Sequence, residues 1–149
     1  MELDPNVVHV AIRWLHVAAM AVAFGGSVLV LAVSMRRTAE SATVVQVAAT
    51  YEWAFWAAVG VLAMTGIGNL GAFGISLPAP GTDWGRTFEL KLMVVLALVL
   101  ISVPRTLALG MLATTTSAER SVRTMRRLYG GTSGAFALIL ALAVTLAHG

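Results

Sequence analysis

Four side chains near the start of the chain recur at helical spacing on an otherwise apolar stretch: His9, Arg13, His16 and Met20. At about 100° per residue they fall within roughly 60° of one another around a helix axis. Ser27 continues the line, and Gly25 and Gly26 thin the helix beside it. Neutral imidazole and thioether sulfur are donors suited to copper, and His with His or Met also suits haem iron. His9 and His16 are separated by two turns, about 10 Å along the axis, too far to chelate one ion from a straight helix. A site built on His16 therefore recruits Met20, one turn further on, or a second helix, with His9 near the mouth. The bland alternatives are an interfacial His9, a hydrogen-bonded His16 and a Met20 that only packs. Ionisable groups facing lipid cost several kcal/mol, so this stripe is expected to face the bundle interior or a wet cavity.

Further along, Glu52 and Arg105 fall at similar depths in two other apolar runs, which predicts a structural ion pair. Pro104 is expected to kink the helix beside Arg105 and free a carbonyl for the same network. Lys91 snorkels, pairs with Glu89 or Asp83, or meets an anionic group such as a haem propionate. Arg13 has Glu89 as its candidate partner. His148, at the end of the last run, is a candidate second ligand or part of a frayed terminus.

The elements that must position these groups follow from composition. The chain has 149 residues, 58% hydrophobic and only 11% charged. Soluble domains carry about 25% charged residues, so a water-exposed globule is excluded, as is disorder. Four apolar runs, at about 7–33, 44–70, 88–112 and 129–147, each exceed the ~18 residues of a spanning helix. The expected architecture is a single all-α domain over 1–149, a four-transmembrane-helix up-down bundle with no separate soluble domain. The connector after the second run holds Gly71, Gly74, Pro78, Pro80 and Gly81.

Arg36, Arg37, Arg105, Arg120, Arg123, Arg126 and Arg127 fall at one face of such a bundle, seven of the ten basic residues. The positive-inside rule places that face in the cytoplasm of a plasma-membrane protein and both termini outside. The net charge of +3 is thus a topology signal and an anionic-lipid contact, not a nucleic-acid footprint. The acidic first residues and the long first run do not fit a secretory signal peptide. Zero cysteines exclude disulfides, thiolate metal sites and cysteine nucleophiles. Trp14, Trp53, Trp56 and Trp84 read as boundary aromatics, and Gly130 with Gly134 as a helix-packing pair. No P-loop, GxSxG, HExxH or EF-hand motif is present, so a non-enzyme is the expectation.

Two stretches carry a resemblance. Thr65-Gly66, then Thr82-Asp83-Trp84-Gly85-Arg86 through Lys91-Leu92, then Arg105, resemble the membrane domain of copper resistance protein D (CopD). Arg13-Trp14-Leu15-His16 followed by Gly25-Gly26 is similar to the first-helix signature of the broader CopD/HemJ-like group. The resemblance covers the first three helices, in a chain about half the membrane portion of a full-length CopD and without a Met-rich loop. It implies copper handling, with copper held by His16, Met20 and His9 and binding weakening below about pH 6 as imidazole protonates. Its haem-linked branch implies a b-type haem protein, an electron carrier or haem-linked oxidoreductase, with His16 and Lys91 as the characteristic polar pair and Arg13 or Lys91 near the propionates. A cofactor-free accessory subunit is the third reading. The partners implied are the bilayer, copper or haem, and a homo-oligomer or larger membrane complex.

Overall fold

A computed structural model describes residues 5–36, 40–71, 81–112 and 118–148 of the chain. The four apolar runs form four long helices, α1 (Pro5–Met35), α2 (Ser41–Gly71), α3 (Asp83–Leu112) and α4 (Ala118–His148). Each contains a stretch long and apolar enough to cross a membrane. Large apolar side chains such as Val17, Met64, Met93 and Leu138 cover the exterior, a surface matched to hydrocarbon rather than to water. The connector residues Gly74, Pro78 and Pro80, together with Arg37, lie outside the described residues, as does the side chain of His148.

The helix ends explain where hydropathy misplaces the boundaries. Thr82 caps α3: its hydroxyl accepts the Gly85 N–H at 3.0 Å and its carbonyl accepts the Arg86 N–H at 2.9 Å. Asp83 then sits in the first turn, where the helix dipole favours an anion. Helix α3 therefore begins five residues before its apolar run. Helix α4 begins eleven residues before its own, so Arg123, Arg126 and Arg127 are helical and not part of a loop. Its packing face simply continues through the basic segment, with Ser121, Met125 and Tyr129 buried one turn apart. Arginine is a good helix former, so only the hydropathy stops there.

Antiparallel neighbours are tied at both ends. At the arginine-rich end, Arg126 Nε–H donates to the Ser34 carbonyl at 2.8 Å, capping the C-terminal end of α1 from α4. At the opposite end, Trp84 Nε1–H donates to the Leu146 carbonyl at 3.2 Å, capping α4 from α3. Helix α1 packs on α2 and α4; α3 packs on α4 and more thinly on α2; the backbones of α1 and α3 do not approach one another. Trp84 and Trp56 are thus hydrogen-bonded structural groups, whereas Trp14 and Trp53 point outward.

Small residues on α1 face aromatic ones on α2 and α4. Ala19, Ala23 and Ser27 are buried opposite Tyr51, Phe55, Tyr129 and Phe136. The rings form one cluster, with Phe55 centroids 5.9 Å from Tyr51, 5.2 Å from Trp56 and 6.3 Å from Phe136. Gly26 is where the fit is tightest, since a Cβ there would overlap the Tyr51 ring. Gly25 has nothing within 4 Å of that position. The Gly130/Gly134 pair makes no close helix approach: a Cβ on Gly134 meets nothing, and one on Gly130 reaches only Leu31 at 3.9 Å.

The two adjacent glycines therefore respond oppositely to alanine. Gly26→Ala is expected to cost about 1–3 kcal/mol through overpacking, while Gly25→Ala is neutral or stabilising by up to about 1 kcal/mol. Thermal unfolding of the detergent-solubilised variants checks this, and equal effects at the two positions would count against the packing.

Candidate functional site

Two polar groupings stand out in the apolar interior. The first joins three helices. Glu52 of α2 and Arg105 of α3 are 5% and 2% exposed. Arg105 Nη2–H donates to Glu52 Oε2 at 3.1 Å, and its Nη1–H donates to Thr132 of α4 at 2.9 Å. Its Nε lies 2.9 Å from Oε1, an ion-pair contact without hydrogen-bond alignment. Tyr129 of α4 donates its hydroxyl to Oε1 at 2.7 Å. Thr106 donates to Oε2 and itself accepts from Trp56 Nε1–H at 3.1 Å. The guanidinium carbon stands 4.3 Å from the Phe55 ring centroid and 5.2 Å from that of Tyr129.

Both carboxylate oxygens are thus saturated with donors, and the opposite charge is in contact. Burial of an ion pair is tolerable only under those conditions. A groove of about 300 Å³ between α2 and α3 reaches Glu52 past Trp53 and Leu109. Helix α1 joins the layer next door: Tyr51 donates to the Ala23 carbonyl at 2.7 Å, and Ser27 and Ser133 are 3.0 Å apart. Ser27 commits its proton to the Phe24 carbonyl at 2.8 Å, so Ser133 donates to Ser27. With both carboxylate oxygens hydrogen-bonded and three helices joined through one ion pair, this grouping is a clamp.

The second grouping lies toward the other end, between α1 and α2. His16 is half-buried, and its Nδ1 sits 2.8 Å from Thr65 Oγ1. The Thr65 hydroxyl donates to the Val61 carbonyl at 2.6 Å, which uses its only proton. With its proton on the Val61 carbonyl, Thr65 is placed to accept from His16 Nδ1–H, the tautomer that leaves the Nε2 lone pair free. Gly66 presents no side chain beside the ring; a Cβ there would stand 3.9 Å from His16 Cε1. Lys91 of α3, also half-buried, is within electrostatic range of His16.

The remaining stripe residues divide. Met20 is half-buried against the core, one turn beyond His16, and His9 is half-buried nearer the terminus. Arg13 is exposed and does not face the bundle interior. The buried face of α1 runs through Ala19, Ala23, Val30 and Ser34. At 100° per residue Arg13 lies about 80° from the middle of that face, while His16 lies close to it. Among the described residues neither Arg13 nor Lys91 has a carboxylate within 4 Å, so pairing with Glu89 or Asp83 does not occur. Helix α3 runs unbroken through Pro104.

Sequence reasoning assigned no role to Thr65, Thr106, Tyr129 or Thr132, the groups that orient or saturate the charged ones. Thr65 stands in a quoted motif, and its hydroxyl in an apolar run was the available signal. Among the described residues no cluster of three or more His, Cys, Asp or Glu could hold a metal ion.

The clamp makes a sharp energetic forecast. Glu52→Leu or Arg105→Met alone is expected to cost about 3–5 kcal/mol, because each strands a buried charge. The double variant should be more stable than either single one. Unfolding of all four proteins in detergent gives the coupling energy, and additive losses would contradict the pairing.

No family model matches this chain, and neither the curated proteins nor the solved structures contain a significant match.

Proposed function

We propose that the chain is a multi-pass integral membrane protein that binds a redox-active metal centre through His16 Nε2, with haem b the favoured group. In this reading the four helices cross the bilayer, the arginine-rich ends face the cytoplasm, and both termini lie outside. The observation that carries the cofactor reading is the hydrogen bond from His16 Nδ1–H to Thr65. Metal-ligating histidines characteristically donate their other ring N–H to an oxygen, which fixes the tautomer and makes the free nitrogen more basic.

The residues present fit haem better than a bare copper ion. His16 would hold the iron of a bound haem through its single free ring nitrogen. Lys91 brings positive charge within electrostatic range of His16, which would favour a group that carries anionic propionates. The resemblance to CopD implies copper handling first, and its haem-linked branch has the pair that maps onto His16 and Lys91. Bound haem would supply one-electron chemistry, and the chain's part is to ligate through His16, orient its ring through Thr65 and attract anionic groups through Lys91. Electron transfer is the activity this set supports. Copper held by His16 and Met20 is the second reading, favoured by the placement of the thioether one turn from the imidazole.

An absorbance spectrum with metal analysis on protein expressed with ample haem separates the readings. The expected result is a Soret band with a reduced α-band, abolished by His16→Ala and retained in Met20→Ala. Thr65→Val is expected to lower haem retention about 10–100-fold while leaving the fold intact. Stoichiometric copper without a Soret band, lost in both His16→Ala and Met20→Ala, would establish the copper reading instead. A blank on both counts would leave a cofactor-free subunit.

A further inference from the structure

Helix α4 is longer than a bilayer core needs. Its 31 residues span about 46 Å. Its apolar part, 128–147, covers about 30 Å, the thickness of the hydrocarbon layer. Arg123, Arg126 and Arg127 stand in the turn or two beyond it, at the level of lipid phosphates. Their direction is set by the opposite side of the helix, where Ser121, Met125 and Tyr129 are buried in the bundle. Arg123 and Arg127, one turn apart, are exposed. Arg126 is held by its Nε–H on the Ser34 carbonyl, with its two terminal nitrogens beyond that contact.

Among the described side chains no carboxylate lies within 4 Å of Arg123, Arg126 or Arg127, and Glu119, one turn before Arg123 in the sequence of α4, is the nearest acid along that helix. Among the described residues the one carboxylate–arginine contact within 4 Å is Glu52–Arg105, which lies in the interior. Of the described acids, Glu40 is exposed at the start of α2, and Asp83 and Glu89 belong to the opposite end of the bundle. Guanidinium groups present planar forks of donors that match the oxygens of a phosphate, and a desolvated headgroup layer strengthens such contacts.

We propose that Arg123 and Arg127 of α4, flanked by Arg126, bind the phosphodiester of an anionic glycerophospholipid, seated where the helix leaves the hydrocarbon. The lipid is favoured over a free phosphate because the cluster sits directly above an apolar helix surface that acyl chains can cover. The inference goes beyond the metal reading and does not depend on it. It rests on the four helices lying in a bilayer, which flotation of the protein with phosphatidylcholine vesicles tests separately.

Native mass spectrometry of the full chain, titrated with phosphatidylglycerol, phosphatidylcholine or inorganic phosphate, reads the site directly. Phosphatidylglycerol should be retained in preference to phosphatidylcholine. Removing each arginine weakens binding roughly fivefold, so R123Q/R127Q should lose about 25-fold in apparent affinity. R123K/R127K should keep part of it, and R86Q, an exposed arginine at the other end, should behave as the parent does. Equal retention of the two lipids, an R123Q/R127Q protein that binds like the parent, or displacement of the lipid by inorganic phosphate would each overturn the proposal. If R123Q/R127Q does not fold, the parent decides. Its lipid preference must fall as salt is raised, and a salt-independent preference refutes the site.

Discussion

The Glu52–Arg105 pair is the constraint around which the bundle is arranged. A carboxylate and a guanidinium inside an apolar interior are each prohibitively costly alone, so α2 and α3 must present them at one depth. Three donors reach the two carboxylate oxygens: Arg105 itself, Thr106 beside it in α3 and Tyr129 of α4. Thr132, one turn from Tyr129 in α4, accepts from the other arm of the guanidinium. One ion pair thereby sets the relative height of three helices. Apolar packing alone leaves such heights free, because one leucine fits against lipid tails as well as against another.

Helix α1 is held to this clamp by shape more than by charge. Its small residues admit the aromatic rings of α2 and α4, and Gly26 lets the Tyr51 ring lie directly on the backbone. The Tyr51 hydroxyl then closes on the Ala23 carbonyl, so one side chain supplies packing and a hydrogen bond. Helix ends are fastened by long side chains from neighbouring helices, Arg126 on α1 and Trp84 on α4. Four helices joined by short connections consequently keep one register along their whole length.

How much of this the sequence discloses depends on the range of the interaction. Hydropathy over windows of about 20 residues identifies all four helices, because burial in hydrocarbon is a property of a segment. It misplaces the start of α4 by eleven residues, because a helix can outlast its apolar face. Glu52 and Arg105 are each conspicuous as charges, and equal depth suggests the pair. Thr65, Thr106, Tyr129 and Thr132 carry no such mark: a hydroxyl in an apolar run bonds its own helix carbonyls as readily as a neighbour. Arg13 shows the opposite failure. Its spacing groups it with His16, yet a 60° stripe is wide enough that one edge lies outside the packed face. Only the position of Ala19, Ala23 and Val30 against the other helices decides which edge that is.

The clamp and the His16 grouping occupy opposite ends of the bundle, and the helix contacts explain why. Near the arginine-rich end three helices are locked by saturated hydrogen bonds, which leaves no unsatisfied donor or acceptor on Glu52 for a ligand to claim. The backbones of α1 and α3 do not approach one another, and α2 meets α3 only thinly. His16 sits on α1 and Lys91 on α3, two helices whose approach nothing else enforces. His16 has Thr65 as its partner, whereas a half-buried lysine without a carboxylate within 4 Å is costly in an apolar setting. The bundle thus keeps its locked ion pair and its less constrained polar groups at different depths, with three helices fastened around the first and only the Thr65 contact holding the second.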